Sequence, residues 1–173
     1  MAENRGKKFE NVIRKAFEKV EGVSIDRLHD QTTGFAGSTN ICDYIIYKKP
    51  FEYYVECKSV HGNTLSIHGT DEKHKYGNIT NTQWEGLLEK SKIKGVFAGI
   101  LCWWVDKDVT LFIPIQTLYI WRTQTEVKSV RYDIYQKDLD VLKIDGKKKR
   151  VFFDYDMGSF FHAIEKEARH GGN

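Results

Sequence analysis

Residues 41–60 read Ile41-Cys42-Asp43-Tyr44-Ile45-Ile46-Tyr47-Lys48-Lys49-Pro50-Phe51-Glu52-Tyr53-Tyr54-Val55-Glu56-Cys57-Lys58-Ser59-Val60. Two runs rich in β-branched and aromatic residues flank Lys48-Lys49-Pro50, which predicts strands over 41–47 and 51–60 joined by a tight turn. Paired antiparallel about Lys49-Pro50, the strands set Asp43 directly opposite Glu56. Side chains so opposed have Cβ atoms about 4.5–5.5 Å apart, and like charges there repel. Two carboxylates that close call for a cation between them. Lys58 shares the face of Glu56 by strand alternation, while Cys57 points the other way and leaves its backbone carbonyl as a third oxygen. An all-oxygen, partly filled shell suits Mg²⁺, which keeps several waters, better than zinc. A lysine beside a metal-bound water orients it or helps remove its proton, and the metal lowers that water's pKa. These are the parts needed for phosphodiester hydrolysis.

Upstream, Phe9, Val12, Ile13, Ala16, Phe17 and Val20 recur at helical spacing and make one apolar stripe. Glu3 or Asn4 can cap this helix and Gly22 stops it. Arg5, Lys7 and Lys8 stand near its first turn, where cations oppose the macrodipole, an arrangement that makes sense with an anion in front of the helix. Glu10 follows Phe9 at the edge of the stripe and can lean into a site at the core boundary. Residues 26–40, with Gly34 and Gly37, read as a loop. Residues 61–82 contain three glycines and few apolar residues, and a loop of that length is usually functional or mobile.

Asn81 and Thr82 offer caps for a short helix through Trp84, Leu87 and Leu88. Strands are expected over 95–105 and 109–113, with a turn at 106–108. A short helix over 115–121 follows Pro114. An irregular excursion over 123–149 includes a short strand at 132–135. A last strand over 151–155 and a closing helix over 159–168 complete one domain, 1–173. This order predicts an α/β sandwich, a mixed β-sheet flanked by helices.

The chain has 173 residues, 27 Lys+Arg against 24 Asp+Glu for a net charge of +3, 40% apolar residues and two prolines. That is enough for one core without staples, and disorder is excluded as the default. No apolar run is long enough to span a membrane, and the first eight residues do not resemble a signal peptide. Three cysteines, Cys42, Cys57 and Cys102, lack paired spacing, so a reducing compartment, the cytoplasm, is expected. There is no Walker loop, G-x-G-x-x-G or G-x-S-x-G, so a nucleotide cofactor and serine hydrolysis have no support. Basic residues are unevenly spread: residues 1–19 hold six against three acidic ones, and Lys147-Lys148-Lys149-Arg150 is an unbroken run. Such clusters suit phosphate backbones, although an ordinary solvated turn explains the run equally well.

Asp43 followed by Glu56-Cys57-Lys58 resembles the D-x(n)-E-x-K core of the PD-(D/E)-x-K nuclease superfamily. Asn4-Arg5-Gly6 with Phe9-Glu10 is similar to the opening helix motif of RecU-type Holliday junction resolvases. So are Ser38-Thr39 ahead of Asp43, Gln83 after the polar loop, and Lys128-Ser129-Val130-Arg131. The resemblance runs in order over about residues 4–165. It departs where Gly22 to Asn40 is too short for the family's projecting stalk, and where Asn40-Ile41-Cys42 separate the Ser/Thr pair from Asp43. A phage-type or trimmed relative fits these departures.

The resemblance implies a PD-(D/E)-x-K endonuclease-like core in which Asp43, Glu56 and the Cys57 carbonyl bind Mg²⁺ or Mn²⁺ and Lys58 handles the attacking water. Glu10 would be an auxiliary acid and Gln83 would orient phosphate or water. Arg5, Lys7, Lys8, Ser38 and Thr39 would contact DNA, with Lys147, Lys148, Lys149 and Arg150 as further candidates. The substrate would be a four-way junction, nicked in pairs by a homodimer. Two alternatives stand beside it: a relative cutting duplex or flapped DNA in repair or restriction, and a non-catalytic junction-binding module. His61, His68 and His74 match no zinc spacing and read as loop residues that can touch DNA. Trp103, Trp104 and Trp121 read as core or interface residues, and Cys42 and Cys57 as small buried apolar ones.

Overall fold

The computed structural model describes residues 5–28, 40–67, 77–135 and 139–170. Ser38 and Thr39, His68 and His74 lie outside the described residues, as does Asn4. Helix α1 (Arg5–Glu18) buries Phe9, Ile13, Ala16 and Phe17 on its apolar stripe. Strand β1 (Val23–Arg27) then pairs antiparallel with β2 (Tyr44–Lys48), and β2 with β3 (Phe51–Val60). After β3 come β4 (Thr64–Ser66), helix α2 (Asn81–Ser91), β5 (Val96–Trp104) and β6 (Val109–Pro114). Helix α3 (Ile115–Thr125), β7 (Ser129–Arg131), the helical turn α4 (Tyr132–Tyr135) and β8 (Leu142–Lys143) follow. The hairpin of β9 (Gly146–Lys148) and β10 (Phe153–Tyr155) leads into helix α5 (Met157–His170).

Among the described residues the main sheet has six strands in the order β1-β2-β3-β5-β6-β8, all neighbours antiparallel except β3 and β5. A parallel pair needs a crossover, and the segment carrying α2 supplies it. Two cores cover the two faces. On one, α1, α5 and β10 pack Phe9, Phe17, Tyr155, Phe160 and Phe161 against Tyr44, Tyr53, Val55 and Trp103. On the other, α2, α3, α4 and the β4–β7 ribbon pack Trp84, Leu87, Leu118, Tyr135 and Leu65 against Tyr54, Ile100 and Trp104. The central strand β5 is buried on both faces, so Val96–Trp104 shows a continuous apolar run without alternation. Gly99 is required there: a Cβ would stand 2.5 Å from the Ile113 carbonyl oxygen and 2.7 Å from the Phe112 ring.

The α/β sandwich with a mixed sheet flanked by helices is therefore as expected. Several details differ. The expected loop 26–40 begins inside β1, which takes in Asp26 and Arg27 and whose Val23 and Ile25 are only partly buried at the sheet edge. Strand β2 begins at Tyr44 rather than at 41. Residues 132–135 form a helical turn rather than a strand, with Tyr132 and Tyr135 both turned into the core. The segment 61–82 is anchored by Leu65, Ile67 and Ile79, all buried, through β4 and a bridge between Ile67 and Ile79. The buried cysteines and the buried Trp103 and Trp104 agree with the sequence reading. No helix among the described residues is long and apolar enough to cross a membrane.

Candidate active site

The β2–β3 register turns at Lys49-Pro50 as expected and holds from Lys48↔Phe51 through Tyr44↔Val55. There β2 stops, while β3 runs on to Val60 beside β5. One more regular pair would oppose Asp43 and Glu56, but the strand steps out of register first. The Asp43 N–H donates to the Val55 carbonyl at 3.2 Å, so Asp43 and Tyr44 share one partner in the manner of a bulge. This corrects the expectation of direct opposition. The step carries the Asp43 side chain along the bare edge of β3, where its Oδ2 accepts from the Cys57 N–H at 2.8 Å. On the other side, the Leu28 N–H holds the Asp43 carbonyl at 2.9 Å. Backbone groups of Val55 and Cys57 face the same edge by strand geometry, so the Cys57 carbonyl also faces the space that β2 has vacated.

Glu56 and Lys58 lie on the α2 side of β3 with Tyr54 and Val60, and Cys57 lies on the α1 side. Glu56 is 3% exposed, an unusual place for a carboxylate. Its Oε1 receives two donors, the Lys58 Nζ at 2.6 Å and the Gln83 Nε2 at 2.6 Å. Its Oε2 is buried with no hydrogen-bond partner. Burial raises the Glu56 carboxyl to about 8; Lys58 pulls it down, while the charges of Asp43 and Glu10 push it up.

Gln83 arrives by a local device. Thr80 caps α2, its Oγ1 accepting from the Gln83 N–H, while the Gln83 Oε1 accepts from the Thr80 N–H at 3.0 Å. This capping box fixes the amide so that only Nε2 can reach Glu56. Thr80-x-x-Gln83 is a legible capping signal, and it displaces the expectation that Asn81 or Thr82 caps the helix. Gln83 is thus brought to the site, turned toward Glu56.

From the opposite face of the sheet, α1 brings Glu10 to the same edge. Its Oε2 accepts from Arg27 Nη2 at 2.7 Å, and its backbone carbonyl accepts from the Tyr44 hydroxyl at 3.1 Å. Burial and then the charge of Asp43 raise the Glu10 carboxyl, against Arg27, Lys7 and Lys58. Sequence reasoning missed Arg27 because it fell in the supposed loop; the alternation of Val23 and Ile25 just before it was the available signal. Arg5 and Lys7 are exposed and Lys8 half-buried at the start of α1. In the basic run, Lys148 pairs with Asp108 in the β5–β6 turn and Lys149 with Asp154 at 3.3 Å, while Lys147 and Arg150 are exposed. The run is part of the β9–β10 hairpin, not a bare turn. A cavity of about 580 Å³ lined by Val109, Leu111, Tyr132 and Tyr135 contains none of these residues.

Among the described residues, no three His, Cys, Asp or Glu side chains converge as a metal cage. The donor set is Asp43, Glu56 and the Cys57 carbonyl, all hard oxygens. The orphaned, buried Glu56 Oε2 is the atom a cation would satisfy, so these residues fit a water-rich Mg²⁺ or Mn²⁺ site.

No protein-family model and no curated protein matches the chain. Among solved structures, the chain is similar to Hjc of Archaeoglobus fulgidus, a Holliday junction resolvase from an archaeal hyperthermophile. The likeness has a TM-score of 0.51 at 18% identity, covering 76% of this chain and 92% of that one. At that identity it speaks for the fold alone, a mixed sheet flanked by helices.

Proposed function

We propose that this protein is a divalent-cation-dependent endonuclease that resolves four-way DNA junctions as a homodimer. The observation that carries the reading is the convergence, at the point where β2 leaves β3, of Asp43, a buried Glu56 with an unpartnered Oε2, and Lys58. The similarity in fold to a Holliday junction resolvase supports the choice of substrate class.

Asp43, Glu56 and the Cys57 carbonyl would hold Mg²⁺ or Mn²⁺. When bound, such an ion offsets charge on the phosphate and acidifies a water. Lys58, which pairs with Glu56 Oε1, would orient the attacking water and meet the developing negative charge. Glu10, whose pKa is raised by burial and then by the charge of Asp43, takes or returns a proton at the edge of the site. Gln83 holds Glu56 by Oε1, which would leave Oε2 for the cation. Arg5, Lys7 and Lys8, and from a separate hairpin Lys147 to Arg150, would contact backbone phosphates, giving binding that depends on shape and salt more than on sequence. A junction with two-fold symmetry calls for paired sites, hence the homodimer. The cytoplasm of a bacterial or phage-infected cell is where such a substrate arises.

The test is cleavage of a synthetic four-way junction beside a matched linear duplex, with Mg²⁺ or EDTA, by the natural chain and by Asp43→Ala. Paired symmetric nicks confined to the junction, lost with EDTA and with the substitution, are expected. Equal cutting of both substrates moves the function to a duplex nuclease. Tight junction binding without cleavage under any metal leaves a binding module.

A further inference from the structure

We propose that Asp106, His61 and Arg5 form a hydrogen-bonded relay that holds the Arg5 guanidinium at the start of α1 for a backbone phosphate. The inference rests on the nuclease reading for its ligand, and on geometry alone for the relay.

Arg5 Nη1 lies 3.1 Å from His61 Nε2, and His61 Nδ1 lies 3.0 Å from Asp106 Oδ1. The second oxygen of Asp106 accepts from the Gly62 N–H at 2.6 Å. A guanidinium can only donate, so Nε2 must be the acceptor. The imidazole is then neutral with its proton on Nδ1, given to Asp106. Each member of the chain thus dictates the state of the next, and a protonated ring could not keep Arg5.

Three framework elements build the relay. His61 follows β3 directly, and Asp106 stands in the 3₁₀ turn Val105–Lys107 that follows β5. These strands are parallel and end side by side at Val60↔Trp104, which brings the imidazole and the carboxylate together. Arg5 opens α1, the helix whose Glu10 feels the charges of Asp43 and Lys58. The relay therefore fixes the guanidinium at the start of the helix that carries Glu10.

A purely structural role accounts poorly for this arrangement. The side chains of His61 and Asp106 are 59% and 50% exposed, and contacts between such groups contribute little to folding. Ordering a long arginine at the surface costs rotamer entropy that one exposed contact does not return. The cost is returned when a phosphate arrives, because the fork is already aimed for charge-assisted hydrogen bonds.

The test has two parts, both on the full chain. First, the ¹⁵N shifts of the His61 ring at neutral pH report the tautomer; the Nδ1–H form is expected, and the Nε2–H form overturns the relay. Second, binding of a four-way junction in EDTA is compared for Arg5→Ala, His61→Asn, His61→Gln and the double variant of Arg5→Ala with His61→Asn. Asparagine keeps a donor for Asp106 but loses the acceptor for Arg5, whereas glutamine carries an oxygen where Nε2 stood. We expect His61→Asn and Arg5→Ala each to weaken binding about three- to ten-fold. The double variant should be no worse than either, and His61→Gln should recover most of the loss. Additive losses, or equal losses for Asn and Gln, overturn the proposal. A correct tautomer in a chain that binds no DNA overturns the nuclease reading and the phosphate, and leaves the relay standing.

Discussion

Replacing Glu56 with glutamine should stabilise this protein in alkaline solution even as it destroys the proposed site. The Glu56 carboxyl is raised from an ordinary 4.5 to about 8, with burial the leading cause. A carboxyl that binds its proton more tightly folded than unfolded supports the fold fully below about pH 4.5, and that support is lost as pH rises through about 8. At 1.36 kcal/mol per pH unit, this window amounts to at most about 5 kcal/mol, and water admitted by partial opening reduces it. Glutamine keeps an oxygen for Lys58 and Gln83, and its amide meets the same lack of a partner at the Oε2 position that the protonated acid meets.

Urea unfolding in EDTA, from about pH 5 to about pH 9, should therefore show the natural chain losing at least about 2 kcal/mol relative to Glu56→Gln. Added Mg²⁺ should restore stability to the natural chain at the alkaline end, by about 2.7 kcal/mol at a hundred-fold excess over its dissociation constant, and leave Glu56→Gln unmoved. Parallel pH curves for the two proteins would refute the argument, because they would mean that Glu56 is already ionised at little cost without a cation.

Three further substitutions test neighbouring parts. Lys58→Met should lower cleavage by about a hundred-fold or more while leaving junction affinity in EDTA within about three-fold, measured by single-turnover cleavage and titration. Gln83→Leu removes one of the two donors on Glu56 Oε1, so the falling limb of the stability curve should move up by about one pH unit. Gly99→Ala would force a Cβ to 2.5 Å from the Ile113 carbonyl oxygen and should cost about 3 kcal/mol, seen as a fall in Tm of about 10 °C.

Much of this was legible in the chain itself. The apolar stripe of α1, the hairpin turning at Lys49-Pro50, the capping box of Thr80 and Gln83 and the unbroken run of β5 are local patterns, set by backbone periodicity and short-range hydrogen bonds. They suffice to propose Asp43, Glu56 and Lys58 as one group, because strand register couples residues close in sequence. What the sequence could not decide was how β2 ends. The step that takes Asp43 out of register depends on β1 holding its carbonyl through Leu28 and on β3 continuing beside β5. Nor could it show that Arg27 meets Glu10, or that His61 and Asp106 stand together, since these contacts join segments brought together only when the sheet assembles. The burial of Glu56 is the clearest case. Its residue type fits a solvated strand edge equally well, and only α2, closing over β3 from a distant part of the chain, excludes the water that would have kept its carboxyl at an ordinary pKa.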